Sequence, residues 1–328
     1  MKFAVVLVVV LVACGSKPGV GDDVTDAPKT GDGSNVDPDA TTGRINTVFV
    51  IPFENKASGM IYANTADAPY INGLLATAAH ATKFGDELPT LPSEPHYVWM
   101  EAGTNAFPDR TFTGDGDPTS TNTTASTAHL VTQLVTASVP WMSYQEGITS
   151  GKCPISSTGH YAPKHDPMVF FKDVVGSPPS TTTPACATHH KSYADFPADL
   201  AAGMTGYVFI TPNLCNDMHG ALDCPSGIGD SANIKAGDTW LQAELPRIVA
   251  YAETHDAVIF LTWDEGDSTN VVPLLALGKH VKVGTTSTTT YSHSSLVKSI
   301  EELLQVPVLP SVTSANDFAD MFDAGTFN

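Results

Sequence analysis

Basic residues are scarce in this chain of 328 residues: 16 Lys and Arg stand against 35 Asp and Glu, a formal net charge of −19. Phosphate backbones are gripped by clustered Lys and Arg, so nucleic acid is excluded as a partner. The same acidity repels anionic substrates unless a bound cation inverts the local potential. Long apolar runs are missing as well. Phe3 to Val12, behind Lys2, falls well short of the ~20 residues that cross a bilayer, and no later segment reaches that length. Five cysteines are present without any Cys-x-x-Cys spacing, which counts against a structural zinc site. No internal repeat is apparent, and nothing demands a second core.

The first residues read as a signal peptide that ends in Leu11-Val12-Ala13-Cys14. That ending resembles the bacterial lipobox, in which the cysteine is lipidated and becomes the new first residue. Plain secretion with an incidental Cys14 is the alternative. Residues 15–43 follow, rich in Gly, Asp, Thr and Pro and almost without large apolar side chains. Such a segment cannot repay the entropy of ordering and is expected to be a disordered acidic tether. The domain organisation is therefore a lipoprotein signal peptide over 1–14, a tether over 15–43 and one folded domain over 44–328. The expected location is the bacterial cell envelope, with the membrane engaged through the lipid on Cys14. Setting that residue aside leaves Cys153, Cys186, Cys215 and Cys224, an even number that reads as disulfides in an exported chain. Of three connectivities, Cys153–Cys186 with Cys215–Cys224 closes the shortest loops.

From Asn46 the pattern alternates between strand and helix. Val48–Ile51, Val139–Tyr144 and Tyr207–Thr211 read as strands, and Tyr70–Thr82 carries apolar residues at helical spacing. Thr239–Glu253 places Leu241, Leu245, Ile248, Val249 and Ala252 on one helical face behind Asp238, a candidate N-cap. Ala257–Trp263 and Val271–Leu277 are continuous apolar runs, as in strands buried on both faces of a parallel sheet. Ser294–Leu304 reads as a closing helix. The fold class is α/β, a central mostly parallel sheet flanked by helices in a single domain. Two long loops, Thr111–Thr124 and Gly176–His190, flank segments with chemical side chains and read as lids or surface insertions.

Polar residues gather where strands end. Glu54-Asn55 follows one apolar run, Asn216-Asp217-Met218-His219 another, Asp264-Glu265 a third, and His293 a fourth short segment. Ligands in open α/β sheets bind beyond the carboxyl ends of the strands, where such residues converge. Carboxylates crowded there cannot all ionise without a cation. Ser93, between Pro92 and Pro95, is either an ordinary turn residue or a nucleophile for phosphoryl transfer.

Taken in order, these segments resemble the bacterial and fungal phosphoesterase family of acid phosphatases and phosphatidylcholine-type phospholipases C, relatives of the alkaline phosphatase superfamily. Glu54-Asn55 is similar to its Glu-Asn opening motif and Pro92-Ser93-Glu94-Pro95-His96-Tyr97 to its Pro-Ser-x-Pro-Asn-Tyr element. Lys164-His165-Asp166-Pro167 resembles Lys-His-Asn-Pro, and Pro212–His219 resembles Pro-Asn-x-x-Asn-Asp-x-His. Trp263-Asp264-Glu265-Gly266 matches Trp-Asp-Glu-Gly, and His293 with Ile300-Glu301 the closing His and Ile-Glu. Leu91 and His96 depart from the family's His and Asn.

The resemblance implies an alkaline-phosphatase-like fold and a metal held by Glu54, Asn55, Asp264 and Glu265 that also touches the Ser93 hydroxyl, the expected nucleophile. An all-oxygen set favours Mg²⁺, Ca²⁺ or Mn²⁺. His165, Asp217, His219 and His293 are the expected second cluster. It would bind another metal, or neutralise phosphoryl oxygens and protonate the leaving group, with His219 and His293 as the catalytic histidines. Lys164, His165, Asn216 and Asp217 would contact the substrate, a phosphorylated small molecule or a phospholipid. The chain shows no evident added lipid-binding module, which favours an acid phosphatase working through a phosphoserine. The alternatives are a phospholipase C-type phosphodiesterase and an inactive surface-tethered binding lipoprotein.

Overall fold

Seven residues, Thr47–Phe53, form strand β1, and every one of them is buried. The structure is a computed structural model and describes residues 44–266 and 270–327. The expected signal peptide, Cys14 and the expected tether lie outside the described residues. Strand β1 is flanked on both sides by parallel partners that are equally buried, Gly206–Thr211 (β5) and Ala257–Trp263 (β6). Continuous apolar runs are what such strands require, because helices cover both faces of a parallel sheet. Parallel pairing continues outward from β5 to Trp141–Gln145 (β3) and His190–Ser192 (β4). On the other side, Leu274–Gly278 (β7) joins β6 to Ala79–Ala81 (β2) and Thr286–Ser287 (β8). The eight-stranded order is β8-β2-β7-β6-β1-β5-β3-β4, the expected α/β class with a mostly parallel sheet.

Three local expectations need correction. The run at 271–277 is a strand over Leu274–Gly278, but it lies antiparallel to β6. Only ten residues, 264–273, separate the two strands, too few for the crossover that parallel neighbours need. Residues 70–82 are not one helix. Helix α1 spans Pro69–Leu74 and the chain then enters β2, where Ala79 and Ala81 are buried and His80 between them is partly exposed. Finally, Asp238 does not start the long helix. Helix α3 runs from Asp230 to Thr254, and the Asp238 carboxylate accepts the backbone N–H groups of Tyr70 and Ile71 at 3.0 and 2.8 Å. It therefore caps α1 across the interface.

Leu241, Leu245, Ile248 and Ala252 of α3 are buried against the sheet as their spacing requires. Phe49 of β1 meets Phe196 and Tyr251 edge-on, and Phe53 stacks on Trp263 at 5.1 Å. Each such ring, fully buried, contributes about 1.5–3 kcal/mol. Helix α2, Ser93–Ala102, and helix α4, His293–Leu303, pack together on the sheet, α4 opening with a reciprocal Ser292–Ser295 capping box. Cys153–Cys186 and Cys215–Cys224 form the expected disulfides. The loop at 176–190 is not wholly irregular, since Pro184–His189 forms a short helix held by the first of them.

The feature that makes room for a site is the parting of β1 and β5. Their register runs from Thr47↔Gly206 to Val50↔Phe209, whereas β1 stays paired with β6 as far as Phe53↔Trp263. Pro52, which has no N–H to donate, sits beyond the end of the β5 pairing. The carboxyl end of β5 thus parts from those of β1 and β6, which stay paired, and leaves a crevice between them.

Candidate active site

Glu54 is the first residue beyond β1, and two neighbours fix its backbone. Its N–H donates to Asp217 O at 2.7 Å, and Asp264 N donates to Phe53 O at 3.0 Å. Asn55 follows with φ of 56°, a left-handed turn that asparagine tolerates better than most residues. That turn points the Asn55 N–H at Asp264 Oδ1, 2.9 Å away. Ser93 opens helix α2, and its hydroxyl donates to Glu54 Oε2 at 2.9 Å while almost fully buried. Glu54, Asn55, Ser93 and Asp264, far apart in sequence, are therefore one connected group.

His165, from the turn Pro163–His165, lies between two carboxylates. Its Nε2 is 3.3 Å from Glu54 Oε1 and its Nδ1 is 3.2 Å from Asp217 Oδ2. Tyr97 of α2 stacks on the ring at 5.0 Å and holds its plane. Asp217 Oδ1 accepts the His219 N–H at 2.8 Å, and His219 Nδ1 lies 2.8 Å from Gly220 O. This leaves His219 Nε2 facing Lys164 Nζ at 3.5 Å, with Lys164 paired to Asp115 at 2.7 Å. Donor atoms of Glu54, His165 and His219 all lie within 4.8 Å of one another.

Three expected residues stand elsewhere. Asn216 donates to both carboxylate oxygens of Glu146, at 3.0 and 2.9 Å, and so fastens its loop rather than facing the Glu54 group. His293 does not join His165, Asp217 and His219. It forms a separate group with Asp86 and His96, and Glu265 turns toward that group, 4.0 Å from His96 Nε2. Asp86, Glu87, Asp115 and Glu146 are residues that motif reading missed. The acidic pair just ahead of the Pro-Ser element was the available signal for the first two, and Asp115 sits in the loop at 111–124 that reads as a lid.

The electrostatics of the crevice are strained by its acidity. Burial pushes the Glu54 carboxyl up, but His165, His219 and Lys164 outweigh burial and hold it below the usual carboxylate range. Asp264 is driven well above that range by burial and then by Glu54 and Glu265. Asp217 is raised, chiefly by burial, despite His165. Burial pushes Glu265 up to about 7 against the pull of His96. Lys164, although burial works against its charge, is held above its usual value by Glu54 and Asp115. Three of four carboxyl groups thus favour a proton over a bare charge.

Several buried atoms here have no hydrogen-bond partner: Glu54 Oε1, Asp264 Oδ2, Asp217 Oδ2 and His165 Nε2. Orphaned buried polar atoms are costly and need explanation. Carboxylate oxygens and imidazole nitrogens converging in this way fit a divalent cation, which would displace the protons that the carboxyl groups otherwise hold.

With this geometry established, three comparisons bear on identity. The model described as "Phosphoesterase family" matches residues 44–307. Phosphatidylinositol-3-phosphatase of Mycobacterium tuberculosis is 29% identical over 277 residues, covering 84% of this chain and 82% of the relative. Phosphate-repressible acid phosphatase of Penicillium chrysogenum is 29% identical over 237 residues, 66% of this chain but 50% of the fungal protein. The chain therefore spans about half the length of that fungal relative. Among solved structures, a phosphonate monoester hydrolase from Silicibacter pomeroyi superposes with a TM-score of 0.55 at 13% identity, covering 85% of this chain and 76% of the other. A protein of the alkaline phosphatase superfamily from Vibrio parahaemolyticus gives 0.55 at 10% identity, covering 82% and 69%. At such identities the likeness is one of fold.

Proposed function

Because this chain belongs to the Phosphoesterase family and is a phosphoric ester hydrolase, we propose that it is an exported, metal-dependent acid phosphatase that hydrolyses phosphomonoesters through a phosphoserine on Ser93. One observation carries the reading. The Ser93 hydroxyl, at the first turn of α2, donates to a buried Glu54 carboxylate whose other oxygen has no hydrogen-bond partner.

Glu54, Asn55 and Asp264 would hold the cation beside Ser93, and Glu265, which lies toward His96, would have to turn back to complete the expected set. Bound there, a divalent ion supplies Lewis-acid stabilisation and lowers the pKa of a neighbouring hydroxyl. In the first step Ser93 Oγ attacks phosphorus as its proton passes to Glu54 Oε2, which accepts it at 2.9 Å, the bond from phosphorus to the ester oxygen breaks, and the departing alkoxide takes a proton from His219. In the second, water gives a proton to His219 as its oxygen attacks phosphorus, the bond from phosphorus to Ser93 Oγ breaks with release of phosphate, and Oγ recovers its proton from Glu54. Lys164 and His165 neutralise charge on the phosphoryl oxygens, and Asp217 orients His165 and His219. Two disulfides fit an exported protein.

The names of the relatives favour a monoester over a diester. A phospholipid head group as the bearer of that monoester has some structural support. His219 lines a recess of about 260 Å³ whose rim carries Leu222 and Ile228, 93% and 71% exposed. The test is turnover on a phosphomonoester, a phosphatidylinositol phosphate, a phosphodiester and phosphatidylcholine across pH, with and without chelator. Ser93→Ala is expected to lose several orders of magnitude in turnover while remaining folded, and acid quenching of the wild type should trap phosphate on Ser93. Near-normal turnover of Ser93→Ala would sink the phosphoenzyme and point to a water nucleophile. Faster cleavage of the diester would favour the phospholipase C reading.

A further inference from the structure

Beside Glu265 lies the second group of titratable side chains, and the proposed reaction gives it no role. His96 sits on the first turn of α2, three residues after Ser93, and His293 opens α4. Each ring faces a backbone carbonyl through Nε2: His96 is 3.0 Å from Leu91 O and His293 is 2.8 Å from Trp263 O. Since a carbonyl can only accept, both Nε2 atoms are donors, and the lone pair of each neutral ring is on Nδ1. Both Nδ1 atoms are buried without a hydrogen-bond partner, in rings that are 0% and 1% exposed. Carboxylates face them. Asp86 Oδ1 is 3.0 Å from His96 Nδ1, and Glu87 Oε2 is 3.5 Å from His293 Nδ1.

A lone pair directed at a carboxylate oxygen is repulsive until positive charge comes between them. A ring whose far nitrogen is anchored to a backbone carbonyl, with its near nitrogen free, is the arrangement of a metal-ligating histidine. Two donors on one ion, with bonds of ~2.0–2.2 Å, stand ~3–3.5 Å apart, which matches the Asp86–His96 spacing. Donor atoms of Asp86, His96 and His293 lie within 4.8 Å of one another.

From this geometry we infer a second cation site, formed by Asp86 Oδ1, His96 Nδ1 and His293 Nδ1, that takes a nitrogen-seeking divalent ion such as Zn²⁺. Its donor set, two imidazole nitrogens and one carboxylate oxygen, differs from the oxygen ligands Glu54, Asn55 and Asp264 expected beside Ser93, which favour harder cations. The departure of His96 from the family's asparagine acquires a purpose, since asparagine supplies no imidazole nitrogen. The ion joins the first turn of α2, which carries Ser93, to the first turn of α4, and so acts as a positioning element.

Metal counting on the full chain tests the site without relying on turnover. Chelator-stripped protein is titrated with Zn²⁺ by calorimetry and with Co²⁺ by visible absorption. Asp264→Asn, which disables the Glu54 group, should retain one equivalent of Zn²⁺ and the Co²⁺ band of a nitrogen-ligated ion. His96→Asn and Asp86→Asn should each lose that equivalent and that band. If one of these two fails to fold, the other together with Asp264→Asn still decides. Unchanged stoichiometry in folded Asp86→Asn or His96→Asn overturns the site and leaves a simple imidazolium–carboxylate pair. If only the equivalent sensitive to Asp264→Asn is missing, the metal of the Ser93 reading fails while this site stands.

Discussion

Raising the pH should unfasten the helix that carries Ser93. Glu101, in the last turn of α2, is fully buried and faces His129 Nδ1 at 2.7 Å, while His129 Nε2 lies 3.0 Å from Asp173. Burial works against charge on this imidazole, but hydrogen bonds to Asp173 and Glu101 outweigh it and push the group up to about 9. A histidine whose folded pKa is raised contributes stability in full below its unfolded value, ordinarily about 6.5, and loses it as the pH rises through the folded value. The window is therefore pH 6.5 to about 9. A rise from 6.5 to about 9 is worth on the order of 3 kcal/mol. Melting temperature should then fall by roughly 5–10 °C across the window. Glu301, pushed up to about 8 chiefly by burial, acts with the same sign. Thermal melts of the wild type and His129→Gln at half-unit steps from pH 6 to 10 isolate the histidine. The variant is expected to be less stable at pH 6 and to show a flatter decline. An equal slope in both proteins would refute the assignment.

The remaining expectations are more local. Asp264→Asn should lose the cation of the Glu54 group and activity together, because the remaining ligands there no longer offset the cost of dehydrating the ion; an unchanged metal content by elemental analysis would contradict this. Reducing Cys215–Cys224, nine residues apart, should cost about 2–3 kcal/mol on the chain-entropy model and slow turnover, because the loop between them carries Asp217 and His219. Equal activity in reducing and oxidising buffer would separate the bridge from the site. Gly206→Ala should be poorly folded. Gly206 has φ of 85°, and an added Cβ would meet Pro140 O at 2.0 Å, so soluble expression with a normal melt would show that the backbone there can shift.

The central strands were readable because burial on both faces leaves each of them a single polar side chain, Thr47, Thr211 and Thr262. Direction was a different matter, since Val271–Leu277 looks the same whether it runs with β6 or against it. The ten-residue connection carried the answer, and a pattern of apolar residues does not register connection length. Asp238 was legible as a cap but not as the cap of another helix, because its partners Tyr70 and Ile71 are 168 and 167 positions away. Motifs brought Glu54, Ser93, His165, Asp217 and Asp264 to one place. They could not tell which side of Glu265 His293 would occupy, because a short motif names a residue without giving the rotation of the helix that presents it. Asp86 and Asp115 belong to irregular segments with no periodicity, and they acquire meaning only from what packs against them.

The position of β1 in the sheet sets the order in which this protein can assemble. Val48 pairs with Tyr207 on one side and Val258 on the other, so the first strand of the domain waits for residues about 160 and 210 places further along. No amino-terminal fragment can build the middle of the sheet, and loop closure over such distances makes folding slow. Until β6 is available, Glu54 and Ser93 have no common frame. A chain with this architecture emerges from synthesis without its organising centre, which comes together only once Ala257–Trp263 has been made.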